Sequence, residues 1–306
     1  MKRKRWIRRG FLCGMSLFLS SSATSCTLMN ARYKKWNASV SRTSDGILKH
    51  ALPKEYGNGE NALLLIHGFG DGPNAWNRLA PQLAKQGYSV RAMRLPAWGE
   101  PMESKHKASL EDWDHAILKE LHALRQSHDK VAVLAHSMGG CLSTVLAQDQ
   151  KLPADALVLY APMFEISSAR SPILKTHTWF KIGSKLLPKR MVIESIYGEH
   201  CRVHPPRHKT ERDPFNPKSF ITMLFAEIDR FEKQAPQMTI TLRLVLPGKD
   251  LVVHMERSQQ WYQTLRAPEK QLFTYESAGH VLPLDIDVLA ESQRLTVWLS
   301  EQGITP

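Results

Sequence analysis

The chain has 306 residues, of which 42% are hydrophobic and 23% are charged, and its net charge is +12. This length favours one large domain with an insertion. Four cysteines in so long a chain do not indicate a disulfide framework. The chain is basic, but it has no zinc-finger spacing, no RNP-like motif and no continuous basic helix, so we expect no nucleic-acid partner.

The first 25 residues predict an export signal. Residues 1–9 are basic, and residues 11–19 are an apolar run too short to span a bilayer, which takes about 20 apolar residues. The small residues before Cys26 are similar to a bacterial lipoprotein processing site, although Ala23 stands where such sites usually have leucine. We expect export to a bacterial cell envelope with a lipid anchor on Cys26. The alternative is ordinary cleavage after Ser25, which would give a periplasmic or secreted protein.

Removal of residues 1–25 would lower the net charge from +12 to +6, because that segment carries six basic residues and no acidic one. A moderately basic protein is suited to an anionic membrane surface.

Beyond the leader, residues 26–60 predict a polar tether followed by edge strands. From there, strands and helices alternate, which is the pattern of a mostly parallel sheet with helices on both faces. Pro81 predicts a kink or a late start in a helix near residues 76–86. A capping box of Ser109 and Asp112 predicts the start of another helix.

A glycine-rich loop follows the first buried strand of this pattern. The apolar run 63–66 leads into His67, Gly68, Phe69 and Gly70. The glycines allow the backbone to approach a ligand closely.

A serine lies on a sharp turn between a later strand and a helix. The apolar run 131–136 ends at Ser137, and a helical pattern follows. A turn of this kind exposes the serine hydroxyl at the carboxyl edge of a sheet. The usual pattern is Gly-x-Ser-x-Gly, and here Ala135 takes the place of the first glycine. Ser137 could also be an ordinary helix N-cap.

At this motif the chain resembles the α/β-hydrolase superfamily, in particular its carboxylesterase, monoacylglycerol lipase and lysophospholipase branch. The resemblance covers residues 60–300. It implies an α/β fold with a mostly parallel twisted sheet, helices on both faces and a cap insertion. We expect the core in residues 61–162 and 236–306 and the cap in residues 163–235.

A nucleophilic serine needs a histidine base and a carboxylate that orients it, and in this fold they follow in the order Ser, Asp or Glu, His. Asp250 follows a predicted strand near residues 239–246, and His280 lies in the loop after another near 271–275. Taken alone, Asp250 could cap a helix and His280 could be a solvated loop residue. The alternative acids are Glu276, Asp285 and Asp287.

The resemblance also assigns residues around the nucleophile. It places the oxyanion hole at the backbone N–H groups of Phe69 and Met138, the residue after the nucleophile. We expect His67, Gly68, His136 and Gly139 to support the loop and the turn, with neither histidine taking part in proton transfer.

The predicted cap is rich in basic, proline and aromatic residues. We expect a lid that lines an acyl pocket, and the alternative is a surface excursion without substrate contact. Within it, His200, Cys201, His204 and His208 raise the possibility of a metal site. Two prolines interrupt that spacing, so we expect no metal and no other cofactor.

These features predict a monomeric serine hydrolase that acts on lipid esters or other small apolar acyl esters at or near a membrane. The alternatives are a non-catalytic ligand-binding lipoprotein of the same fold and an aminopeptidase-like hydrolase. An aminopeptidase should have an acidic subsite for the substrate's amino group, and the cap's acidic residues leave that open.

Overall fold

The protein is built around a seven-stranded sheet. The structure, a computed structural model, describes residues 27–168, 176–188, 191–195, 200–205, 207 and 211–306. The sheet order is β1-β3-β2-β4-β5-β8-β9, and only β1 is antiparallel to its neighbour. These strands are β1 Lys54–Tyr56, β2 Ala62–Ile66, β3 Ser89–Met93, β4 Val131–His136, β5 Ala156–Tyr160, β8 Thr241–Pro247 and β9 Lys270–Tyr275.

The central strands β2, β4 and β5 are buried along their whole length. Strands of a parallel sheet are covered on both faces, so their sequences are continuous apolar runs and do not alternate. Two of these runs, in β2 and β4, are the apolar runs 63–66 and 131–136 that predicted strands. The α/β fold with a mostly parallel sheet is confirmed.

Helices cover both faces of the sheet. One apolar cluster contains Trp76, Tyr88 and Trp298, and the other contains Trp113, Leu142 and Phe231. The helices are α1 over residues 27–39, α2 Ala80–Lys85, α3 Met102–Lys107, α4 Leu110–Arg125, α5 Met138–Gln148, α6 Thr176–Gly183, α7 Lys218–Lys233, α8 Met255–Thr264, α9 Leu282–Asp285 and α10 Val288–Glu301. In the described part of the chain, none of them is long and apolar enough to cross a membrane.

Two helix starts follow their local sequence signals. Ser109 accepts a hydrogen bond from the Asp112 backbone N–H at 3.2 Å, and the Asp112 carboxylate accepts one from the Ser109 backbone N–H at 2.8 Å, which completes the capping box of α4. Pro81 lies in the first turn of α2, so this helix starts late, as predicted.

The expectation of a polar tether after the leader is wrong for residues 27–39, which form α1. The reason is an apolar contact between this segment and a residue distant in sequence. Trp36 is buried, and its ring centroid is 5.5 Å from that of Phe215. Arg32 forms a 2.7 Å ion pair with Glu194. The residues of the predicted leader, 1–25, and Cys26 lie outside the described residues.

The predicted cap stretch contains two kinds of structure. Strands β6 Val192–Glu194 and β7 Phe215–Pro217 form a small antiparallel sheet apart from the main one. Helix α7, in contrast, contributes Phe220 and Phe231 to the main core. The core therefore continues into this stretch, because α7 has an apolar face that packs against the helix after Ser137.

A buried ion pair joins β8 to α10. Arg243 and Glu291 are almost fully buried, with 3.1 Å between Nη2 and Oε2. Glu291 also accepts hydrogen bonds from the hydroxyl groups of Tyr160 at 2.8 Å and Tyr275 at 2.7 Å. One carboxylate therefore links three strands of the sheet to a helix.

We expect Glu291→Ala to lower the free energy of unfolding by about 3–5 kcal/mol, because it leaves the Arg243 charge buried without its partner. Urea denaturation at neutral pH measures this. The control is Glu55→Ala, which removes an exposed partner of Arg91 and should cost less than about 1 kcal/mol. Equal losses of unfolding free energy in the two variants would contradict a larger stabilising contribution from the buried pair.

Candidate active site

Ser137 occupies the turn between β4 and α5. Its φ of 54° and ψ of −114° are strained for a residue with a side chain. Its backbone N–H donates to the Tyr160 carbonyl at 3.0 Å, which holds the turn against the neighbouring strand. At Gly139 a Cβ atom would lie 2.7 Å from the carbonyl oxygen of His67, so only glycine fits without a shift there.

His280 lies between Ser137 and Asp250. Its Nε2 is 2.9 Å from the Ser137 Oγ, and its Nδ1 is 2.7 Å from the Asp250 Oδ2. Burial alone would raise the pKa of Asp250. The charge of His280, the bond to it and two backbone N–H groups together hold that pKa below its ordinary value. The three side chains thus have the geometry of a nucleophile, a base and an orienting acid.

Asp250 has two functions at once. Its Oδ1 accepts the backbone N–H groups of Val252 at 2.7 Å and Val253 at 3.0 Å, while its Oδ2 faces the histidine. Asp250 does not cap a helix, because α8 begins at Met255 with His254 as its N-cap. Its bonds to the two loop N–H groups instead fix the carboxylate that the imidazole meets.

The three alternative acids lie elsewhere, and none of them hydrogen-bonds the His280 imidazole. Asp287 accepts the N–H groups of Leu289 and Ala290 at the start of α10. Asp285 is fully buried and accepts backbone N–H groups. Glu276 begins the turn after β9, where its backbone packs against Gly248.

The loop after β2 comes close to the nucleophile. A Cβ at Gly68 would lie 3.0 Å from the Ser137 Cβ. In the described part of the chain, the backbone N–H groups of Phe69 and Met138 donate to no protein group. Phe69 lines the same cavity as Ser137, and Met138 directly follows Ser137 in the chain. The assignment of their N–H groups as an oxyanion hole stays a prediction.

His67 supports this loop through hydrogen bonds to the backbone. Its Nε2 accepts the Leu95 backbone N–H at 3.1 Å, so the proton is on Nδ1, which lies 2.9 Å from the Gly68 carbonyl oxygen. Burial lowers the pKa of His67 to about 4, so the ring is neutral near pH 7.

His136 supports the histidine loop. Its Nε2 lies 3.0 Å from the His280 carbonyl oxygen, and since a carbonyl accepts, Nε2 carries the proton. Burial, reinforced by the charge of His280, lowers the pKa of His136 to about 3. A neutral ring bonded to backbone is suited to positioning and not to proton transfer.

A cavity of about 230 Å³ opens beside Ser137. Its walls are mainly apolar and come from the core edge, α6, α7 and the small sheet, and they include Met163, Ile166, Phe180, Ile193, Leu224 and Phe225. Asp71, Glu194, Ser195 and Arg212 add polar groups. Residues from the predicted cap therefore line the site, which favours the lid interpretation over a surface excursion.

Buried charges fix part of the cap to the loop after β2. Asp71 forms ion pairs with Arg207 and Arg212. Burial alone would raise the pKa of Asp71, but these two guanidinium groups hold it well below its usual range.

A second buried ion pair lies near the same loop. The Lys105 Nζ lies 2.6 Å from the Asp213 Oδ1. The Asp213 backbone N–H donates to the Gly70 carbonyl at 3.1 Å. The sequence did not identify Asp71 or Lys105 as residues of the site region, and it offered Asp213 only as one of the cap's acidic residues. The only available signal was that Asp71 directly follows the glycine-rich loop.

The metal interpretation of the cap finds no support in its described residues. No group of three His, Cys, Asp or Glu side chains arranged to hold a metal ion occurs in the described part of the chain, and His208 lies outside it. Cys141 is buried and Cys201 is half-buried, and no disulfide joins these two residues.

Known proteins similar to this chain include lipases and esterases. A thermostable monoacylglycerol lipase from Bacillus sp. (strain H-257) is 33% identical over 102 residues, which are 33% of this chain and 41% of the relative. The chain thus spans less than half of that relative. A carboxylesterase from Bacillus subtilis (strain 168) is 23% identical, with 76% of this chain and 89% of the relative covered.

A solved structure, the monoacylglycerol lipase of Paleococcus ferrophilus, superposes with a TM-score of 0.67 at 18% identity and covers 82% of this chain and 98% of its own. At this identity, the likeness shows the fold. A family model described as Hydrolase_4, Serine aminopeptidase, S33, matches residues 57–287. That match contains Ser137, Asp250 and His280 and most of the chain, and the chain therefore belongs to this family of α/β hydrolases.

Proposed function

We propose that the protein is a serine hydrolase that cleaves carboxylic esters of apolar acyl groups. The observation that carries this proposal is the unbroken chain of short contacts from the Ser137 Oγ through His280 to Asp250, beside an apolar cavity. The monoacylglycerol lipase and the carboxylesterase among its relatives support the same class of reaction.

The proposed reaction has two halves. The Ser137 Oγ attacks the ester carbonyl carbon while its proton passes to the His280 Nε2, and the N–H groups of Phe69 and Met138 stabilise the oxyanion. The intermediate collapses to an acyl-enzyme, and His280 returns the proton to the leaving alcohol. Water then attacks the acyl-enzyme with His280 again as base, which releases the acid and restores Ser137. Asp250 holds the imidazole and stabilises its positive charge.

The cavity favours an apolar acyl chain over a charged one. Its aliphatic and aromatic side chains can remove methylene groups from water, at about 0.8 kcal/mol for each. Its ionisable residues away from the triad are already engaged: Asp71 and Arg212 pair with each other, and Glu194 pairs with Arg32.

An aminopeptidase activity is the second candidate, because the family description names it. It needs an accessible carboxylate for the ammonium group of the substrate. Asp213 is buried against Lys105, Glu227 is buried against Arg230, and Glu194 is paired with Arg32. Of the cap's other acidic residues, Glu165 is half-buried, Glu211 is exposed, and Glu199 lies outside the described residues. Three of these carboxylates are thus occupied by basic partners, which favours an ester substrate over a substrate with an ammonium group.

We further propose that the mature protein begins at Cys26, carries a lipid there and works as a monomer at a membrane of the cell envelope. Support comes from the basic and apolar leader and from the small residues before Cys26. Helix α1 begins directly after this cysteine and packs on the small sheet of the cap. An anchor at Cys26 would therefore hold the cap side of the enzyme near the lipid surface.

Ser137→Ala should lower ester hydrolysis by about 10⁶-fold, because the nucleophile is removed. Hydrolysis of p-nitrophenyl esters and fluorophosphonate labelling mapped by mass spectrometry measure this. Ser143→Ala is the control: it removes another buried hydroxyl from α5, one that bonds within its own helix. Labelling of the Ser137→Ala protein at the wild-type rate would contradict the assignment. Aminoacyl naphthylamides, assayed in parallel, would reveal the second candidate activity.

Leu224→Trp should lower kcat/KM for long-chain esters more than for acetate or butyrate esters, because the larger ring fills the cavity. Each methylene group that no longer fits costs up to about 0.8 kcal/mol, roughly fourfold. A series of p-nitrophenyl esters of increasing chain length measures the difference. Val297→Trp, on the exposed side of α10, is the control. A uniform loss across all chain lengths would argue that Leu224 does not contact the acyl chain.

Cys26→Ala should release the mature protein from the membrane fraction and abolish labelling by a radioactive fatty acid, because the acceptor thiol is missing. Fractionation of cells in high salt measures the release, with Cys201→Ala as a cysteine control. Continued pelleting of Cys26→Ala with the membranes would count against the lipid anchor.

A further inference from the structure

Asp285 is a buried carboxylate in the loop that carries the catalytic histidine. It ends the short helix α9, five residues after His280, and it is fully inaccessible to solvent. Catalysis as described above uses neither of its oxygens. A carboxylate placed so deep costs free energy unless hydrogen bonds satisfy it.

Four backbone N–H groups surround this carboxylate. Oδ1 accepts from Val203 at 2.7 Å and His204 at 2.8 Å, and Oδ2 accepts from Arg202 at 2.7 Å and Gly279 at 2.6 Å. An ionised carboxylate has about four acceptor positions, so this set uses its full capacity. Three of the donors belong to the cap, and the fourth is the residue before His280.

The same cap segment also contacts the backbone of His280 itself. The His280 N–H donates to the His200 Nδ1 at 3.2 Å, and the Val281 N–H donates to the His200 carbonyl at 3.3 Å. A Cβ atom at Gly279 would lie 2.5 Å from that carbonyl oxygen, so the close approach depends on this glycine. Three consecutive N–H groups, from Gly279 to Val281, are thus held by Asp285 or by His200.

We infer that Asp285 is a positioning residue for His280, and that it acts by joining the cap segment 200–204 to the catalytic loop. This inference rests on the proposed hydrolase function. Directly, Asp285 fixes the backbone on the amino-terminal side of His280. Through residues 202–204, it fixes the segment whose His200 holds the next two N–H groups. This part of the cap is therefore a fixed wall of the catalytic centre, and any opening of the cap takes place elsewhere in it.

Asp285→Asn tests the inference, since it changes one oxygen to an amide group of nearly the same size. In either orientation the amide replaces an acceptor of two N–H groups by a donor, so two hydrogen bonds are lost. We expect kcat to fall by about 10²-fold with KM little changed, because His280 is displaced from its line between Ser137 and Asp250.

Asp287→Asn is the matched control. It neutralises a carboxylate two residues away that also accepts two backbone N–H groups, but at the start of α10 and away from the site. It should keep the kcat of the wild type. Circular dichroism and thermal unfolding establish that each variant is folded.

A readout that needs no turnover is the proton NMR signal of the His280 Nδ1–H in its bond to Asp250, expected far downfield and identified by its loss in Asp250→Asn. We expect Asp285→Asn to weaken or broaden this signal and Asp287→Asn to leave it intact. If the wild type shows the signal but hydrolyses no ester, the proposed function fails while the signal still decides on Asp285.

A second variant, His200→Ala, approaches the same contact from the cap. It removes the acceptor of the His280 N–H, and we expect about a tenfold lower kcat with a weakened downfield signal. This variant carries the test if Asp285→Asn does not fold. A wild-type kcat and signal in folded Asp285→Asn or His200→Ala would overturn the inference, as would a rise in KM with kcat unchanged.

Discussion

The site depends on the parallel alignment of the central strands. Because the carboxyl ends of parallel strands meet at one edge of the sheet, the loops after β4, β8 and β9 bring Ser137, Asp250 and His280 together. A shift of one residue in any of these pairings would reverse the faces of a strand and move its loop. The continuous burial of β4 and β5 between two layers of helices makes such a shift costly. The packing of the apolar core thus determines the Ser137–His280 and His280–Asp250 distances at its edge, which are both less than 3 Å.

The structure controls the backbone around the catalytic groups more closely than their side chains. Ser137 is held by a bond to Tyr160, the loop of Phe69 by His67, and the backbone of His280 by His136 and His200. These histidines bond mainly to main-chain groups, and burial keeps two of them neutral near pH 7. A neutral imidazole can both donate and accept in a dry interior without adding a charge that would compete with the triad.

Much of the site could be predicted because its signals are local. A strand, a serine and a helix within ten residues identify Ser137, and the loops of Asp250 and His280 follow strands in the expected order. The unexpected features arise from pairings distant in sequence. Trp36 meets Phe215, and Asp285 meets the N–H groups of residues about 80 positions earlier. Every residue except proline offers a backbone N–H, so nothing in the identities of Arg202, Val203 and His204 indicates what they bind.

The arrangement of charges around the cavity limits which substrates the proposed hydrolase could select. Asp71 faces two arginines, Asp213 faces Lys105, and Glu194 faces Arg32. Each pair contributes to holding the cap or α1 in place. A charged substrate group that broke the pairs of Asp71 would leave one partner uncompensated in a buried position, which costs several kcal/mol. The same pairs that keep the cap in position therefore disfavour ionic ligands, and the proposed hydrolase would select its substrate through the apolar walls of the cavity.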